Sequence, residues 1–81
     1  MKAVMTKEQI RRRNTFQETI VPYMINSTRY RKNKDLADAL GMSPSGFSEK
    51  WNFRSEFRLD EVATICRLLR VRDDDRAKLI V

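Results

Sequence analysis

Eighty-one residues, 41% hydrophobic and 35% charged, suit one small soluble domain over residues 1–81, because a chain this short buries only roughly 60% of its unfolded surface and cannot divide that core in two. A single Cys excludes an internal disulfide, and the absence of His removes the usual zinc ligand sets and imidazole acid-base chemistry, so neither an enzyme nor a cofactor is expected. The net charge of +6 is lopsided: residues 1–34 hold nine Lys/Arg against two Glu, whereas residues 35–81 hold eight against nine acidic residues, and such a field makes a polyanion the leading partner class.

Met1 to Met5 is too short for the apolar region of a signal peptide before Lys7 and Glu8, and no run of about 18 apolar residues follows, which points to the bacterial cytoplasm or nucleoid and away from a membrane. Few Gly and Pro interrupt apolar residues that recur every three or four positions, the pattern of an all-α chain. Thr6 and Gln9 match a capping box and predict a helix from Lys7 that buries Ile10, Phe16 and Ile20. Residues 1–19 then read as a basic N-terminal helix, or as an arm in which Arg11, Arg12 and Arg13 track a phosphate backbone or minor groove. Pro22 predicts a break and a new short helix over residues 22–28, burying Met24 and Ile25 or Tyr23.

Residues 26–33 read as a basic loop that ends on Asn33 as an N-cap. The next short helix places Leu36, Ala37 and Leu40 on one face and stops at Gly41. Ser43-Pro44 supplies a cap and a Pro at the first helical position, and Phe47 and Trp51 follow one turn apart. After a charged stretch, Leu59, Val62, Ala63, Cys66 and Leu69 form the stripe of a strongly amphipathic helix, widened by Ile65 and Leu68, with acids at its start and Arg67 and Arg70 near its end. Cys66 on that stripe reads as a small apolar residue. Asp73 to Asp75 cap a last short helix, and Leu79, Ile80 and Val81, with nothing after them as cover, make residues 72–81 the expected dimerisation segment.

Over residues 33–52, Ala37 allows two helices to cross closely, Gly41 makes the turn between them and Phe47 fills their angle, which is a helix-turn-helix signature. The line KDLADALGMSPSGFSEKWN, followed by Phe57-Arg58-Leu59-Asp60-Glu61, resembles the phage repressor and Cro family over about residues 20–71. The resemblance implies a lambda-repressor-like bundle of about five short helices. It also implies a transcriptional regulator of phage or mobile-element type that binds double-stranded DNA as a homodimer, needs no small-molecule effector, and represses by occupying its operator. Lys50 sits where many members keep an aliphatic residue, which makes Trp51 the expected core anchor.

In such a domain the second helix of the motif lies in the major groove. The base-contacting candidates are therefore Ser43, Pro44, Ser45, Ser48, Glu49 and Asn52. Ser hydroxyls donate or accept, Glu49 can accept from cytosine N4 or pair with Lys50 or Arg54, and Asn52 can reach adenine or a phosphate. Ser43 doubles as the helix cap. Phosphate-contacting candidates are Arg29, Arg31, Lys32 and Lys34 before the motif, with Lys50 and Arg54 after it. The alternative reading is a protein-interaction module, an antirepressor or antitoxin, in which the motif is scaffold and the apolar C-terminus is the working surface.

Overall fold

Thr6 and Gln9 form the expected reciprocal pair: the Gln9 amide donates to Thr6 Oγ1 at 3.1 Å and the Thr6 amide donates to Gln9 Oε1 at 2.8 Å, satisfying two of the otherwise unpartnered donors at a helix start. The computed structural model describes residues 5–79. Among them are five helices and no strand: α1 (Lys7–Asn26), α2 (Asn33–Ala39), α3 (Pro44–Trp51), α4 (Leu59–Leu69) and α5 (Asp73–Leu79). The architecture is all-α, and no described helix is long and apolar enough to cross a membrane.

The predicted break at Pro22 does not occur. α1 runs unbroken through it, with Phe16, Ile20 and Met24 buried at intervals of four on one stripe. Pro22 forfeits the bond its amide would have made to the Glu18 carbonyl, a loss that commonly costs ~3 kcal/mol within a helix. Both residues are exposed, so water can take that carbonyl. Burying Ile20 and Met24 on either side contributes roughly 1.5 to 3 kcal/mol each, and the unbroken helix keeps both on one buried stripe. Ile10, expected inside, is exposed, and of the alternatives Ile25 and Tyr23 it is Tyr23 that packs against the core while Ile25 is 65% exposed.

α2 also starts one residue from its predicted cap. Asn33 is its first helical residue, and the Lys32 amide is bonded by the Asp35 carboxylate at 3.2 Å. α3 begins as predicted, with Ser43 Oγ accepting from the Gly46 amide at 3.1 Å and Pro44 at its first position. At α4 the backbone amide of Arg58 donates to Glu61 Oε1 at 2.8 Å, so a carboxylate three residues on satisfies the amide of the capping residue.

Three helices close with the same paired turn. After α2, the Met42 amide donates to the Ala37 carbonyl and Gly41 to Asp38; after α3, Arg54 donates to Glu49 and Phe53 to Lys50; after α4, Val71 donates to Cys66 and Arg70 to Arg67. Each turn puts one residue in the left-handed region: Gly41 at φ 69, Phe53 at φ 59 and Arg70 at φ 56. Gly suits that position, whereas a side chain there costs about 1 to 2 kcal/mol. Phe53 offsets the strain through its ring, which lies 5.7 Å from that of Phe16. Arg70 is exposed, so Arg70→Gly is expected to raise stability by about 1 kcal/mol, read as a higher denaturant midpoint at unchanged slope.

The core gathers Phe16, Ile20 and Met24 from α1, Leu36 and Ala37 from α2, Phe47 from α3, and Val62, Ile65, Cys66 and Leu69 from α4, closed by Val71. Burial pushes the Cys66 thiol up, which keeps it protonated and poorly nucleophilic. Leu59, expected on the buried stripe, is 75% exposed. Leu79, expected bare, is half-buried and packs against the core; Ile80 and Val81 lie outside the described residues.

α5 is held to α1 by Tyr23, whose hydroxyl donates to Asp75 Oδ2 at 2.5 Å and accepts from the Arg72 amide at 3.3 Å. The bond to Tyr23, then that to Lys78, holds the Asp75 carboxyl below its ordinary range, and the same bond raises the Tyr23 phenol. A carboxyl lowered in the fold stabilises fully above its unfolded value of about 4 and loses that contribution as pH falls through its folded value. A raised phenol stabilises fully below about 10 and loses that contribution as pH rises through its folded value. The buried Cys66 thiol, raised likewise, stabilises fully below its unfolded value of about 8.5. With no His to titrate between, urea midpoints are therefore expected to stay level from about pH 5.5 to 7.5 and to fall on either side. Tyr23→Phe is expected to reduce the alkaline fall to the share of Cys66 and to reduce the acid one.

Candidate nucleic-acid interface

α3 is fixed from three directions. Phe47 is buried with its ring stacked on Trp51 (centroids 6.0 Å apart, planes at 19°), Gln17 of α1 donates from Nε2 to the Trp51 carbonyl at 2.8 Å, and α2 packs against the helix. A fourth tie comes from α4, where Lys50 Nζ meets both carboxylate oxygens of Glu61 at 2.6 and 2.9 Å. With Phe47 and Trp51 turned inward, the 100° step of the helix leaves residues 45, 48, 49 and 52 on the opposite face. Ser45, Ser48 and Glu49 are exposed there, as are Ser43 and Pro44 at the first turn.

Two of the predicted contact residues are already occupied within the helix. Ser43 Oγ serves as the cap acceptor for Gly46. Asn52 is half-buried and folds back, its Nδ2 donating to the Ser48 carbonyl at 2.9 Å and lying 3.4 Å from Ser48 Oγ. What remains outward is a short polar surface on Pro44, Ser45, Ser48 and Glu49 with no large apolar side chain in it.

The cations divide in the same way. Arg29, Arg31, Lys32 and Lys34 are exposed in the loop after α1 and the first turn of α2, and Arg54 is exposed after α3. The loop is ordered by its own bonds: Ser27 Oγ accepts from the amides of Arg29 and Tyr30 at 3.2 and 3.0 Å, and Arg31 Nε donates to the Ser27 carbonyl at 2.9 Å. Lys50 differs, since the side chains of Lys50 and Glu61 are only 19% and 17% exposed and face each other. Burial by itself would raise the Glu61 carboxyl, but the Lys50 ammonium and the Arg58 amide, both bonded to its anion, outweigh that and hold it below the ordinary range. A carboxylate so stabilised keeps its cation; Lys50 is thus an internal strut between α3 and α4.

Arg11 and Arg12 are exposed on the first turns of α1, and Arg13 folds toward Asn14 and Met5. These residues belong to a helix face, not to an extended arm. The Asp73 to Asp75 run lies in the first turn of α5, where negative charge complements the helix dipole. Compared with protein-family models, curated proteins and solved structures, the chain matches none.

Proposed function

We propose that this protein is a sequence-specific double-stranded DNA-binding regulator of phage or mobile-element type, acting in the cytoplasm by occupancy of an operator and without catalysis, cofactor or effector. The observation that carries the reading is the outward face of α3: Pro44, Ser45, Ser48 and Glu49 are exposed and polar or small, on a short helix locked behind by Phe47 and Lys50. A stability role does not require that combination, whereas base edges in a major groove are read by hydroxyls and carboxylates on a rigid support. α2 and α3 then act as the two helices of a helix-turn-helix. Arg29, Arg31, Lys32, Lys34 and Arg54 supply backbone contacts, and the net charge of +6 steers the encounter.

Two such chains would pair on a palindromic site with half-sites about one helical turn apart. Fluorescence anisotropy against the DNA flanking its own gene, beside a scrambled duplex of equal length, tests the reading: binding tighter than to the scrambled duplex is expected, and equal affinity for both would remove sequence specificity. The second reading, an antirepressor or antitoxin that docks on another protein, is favoured by Leu59 at 75% and Ile25 at 65% exposure, large apolar side chains outside α3. Leu59→Ser should then abolish partner binding while leaving DNA affinity alone.

A further inference from the structure

The end of α4 and the loop after α1 enclose a groove of about 520 Å³ whose cationic lining is Arg29, Arg67 and Arg70, with Tyr23, Asn26 and Tyr30 among its polar walls. No Asp or Glu lines it, and neither does any residue of α3. None of the three arginines takes part in a salt bridge among the described residues.

The helix dipole favours Arg67 and Arg70 at the end of α4, but it does not account for Arg29, which reaches the same groove from another element. Nor is Arg29 on a loose strand. Its amide is pinned by Ser27 Oγ at 3.2 Å, and its guanidinium carbon lies 6.0 Å from the centre of the Tyr30 ring. Arg70 holds its place at φ 56, where Gly would be easier, so backbone strain is retained at a residue that adds charge to the groove. Arg67 and Arg70 line the same groove as Arg29 with no acidic side chain among them.

From this convergence we infer that the groove binds a phosphate group, held by Arg29, Arg67 and Arg70. Guanidinium forks match phosphate oxygens in pairs, and three of them suit the tetrahedral oxygens of a phosphate better than a single carboxylate. The inference stands apart from base reading by α3. Two sources share the chemistry: a free phosphate monoester and the phosphodiester of a nucleic-acid backbone.

Thermal unfolding of the full chain at constant ionic strength tests it, with chloride replaced in turn by inorganic phosphate and by dimethyl phosphate. Inorganic phosphate is expected to raise Tm by about 5 °C over chloride at saturation, and Arg29→Gln and Arg67→Gln should each lose most of that rise. A rise with inorganic phosphate alone assigns a monoester, whereas a rise with dimethyl phosphate as well assigns a backbone diester. Ser45→Ala should keep the whole rise, which separates failure of this site from failure of base reading. In the wild-type chain the Arg Nε–H resonances of Arg29, Arg67 and Arg70 should shift together on titration with phosphate. Equal Tm in all three salts, or a rise that both arginine variants retain, would overturn the assignment.

Discussion

Phe16→Ala is expected to cost about 3 to 5 kcal/mol, a large share of the roughly 4 to 12 kcal/mol expected of 81 residues at roughly 0.05 to 0.15 kcal/mol per residue. Phe16 is 3% exposed, and its ring is the hub of an aromatic cluster. It stacks on Phe57 with centroids 5.1 Å apart, meets Trp51 edge-on at 5.8 Å and lies 5.7 Å from Phe53. Truncation would remove the buried area and leave three rings facing a void. Urea unfolding followed by circular dichroism should show a midpoint lowered far more than for any single surface variant; a loss under 1 kcal/mol would mean that the loop rings close over the gap.

Trp51 makes the instructive comparison. It anchors α3 through Phe47 and Phe16 but is only half-buried, so Trp51→Ala should cost less than Phe16→Ala, about 2 to 3 kcal/mol. The cluster divides what the sequence pattern assigned to Trp51 alone: Phe53 and Phe57, in a stretch that reads as charged and irregular, close over Phe16 from the loop between α3 and α4.

Local chemistry was legible in this sequence at several places where it acts over three or four residues, though not at α2, where the Lys32 amide on Asp35 displaces Asn33 as the cap. The Thr6–Gln9 box, the Ser43-Pro44 start and the Gly41 stop each require only near neighbours, and each is present in the fold. Pro22 was misleading because the proline rule weighs one lost hydrogen bond, whereas the outcome depends on Ile20 and Met24 finding the same core. Leu59 fits the α4 stripe as well as Val62 does, but it stands in the first turn, beyond the reach of the packed helices. Lys50 could not be separated from the other cations along the chain, because its partner Glu61 lies eleven residues on and meets it only once α4 docks. The groove of Arg29, Arg67 and Arg70 likewise has no sequence signature, since its parts come from segments far apart in the chain.

If α3 reads bases and the α1–α2 loop holds the backbone, affinity for DNA should fall steeply with salt and two sets of substitutions should behave differently. Neutralising about 4 to 8 phosphates per dimer gives a log-log salt slope of about −4 to −7, or a loss of roughly 10² to 10⁴-fold between 50 and 200 mM salt. Arg31→Ala and Lys32→Ala are each expected to weaken operator and random duplex alike and to reduce the slope by about one unit, because phosphate contacts carry no sequence information directly. Ser45→Ala and Glu49→Gln should leave the slope nearly unchanged and reorder operator variants, with differences of about 1 to 3 kcal/mol at one or two base positions. Lys50→Gln supplies the control: its ammonium is held by Glu61, so it should lower the denaturant midpoint while the salt slope of the folded protein stays in place. Uniform losses across an operator library for all four interface variants would mean that α3 does not read bases, and the protein-docking reading through Leu59 and Ile25 would take precedence.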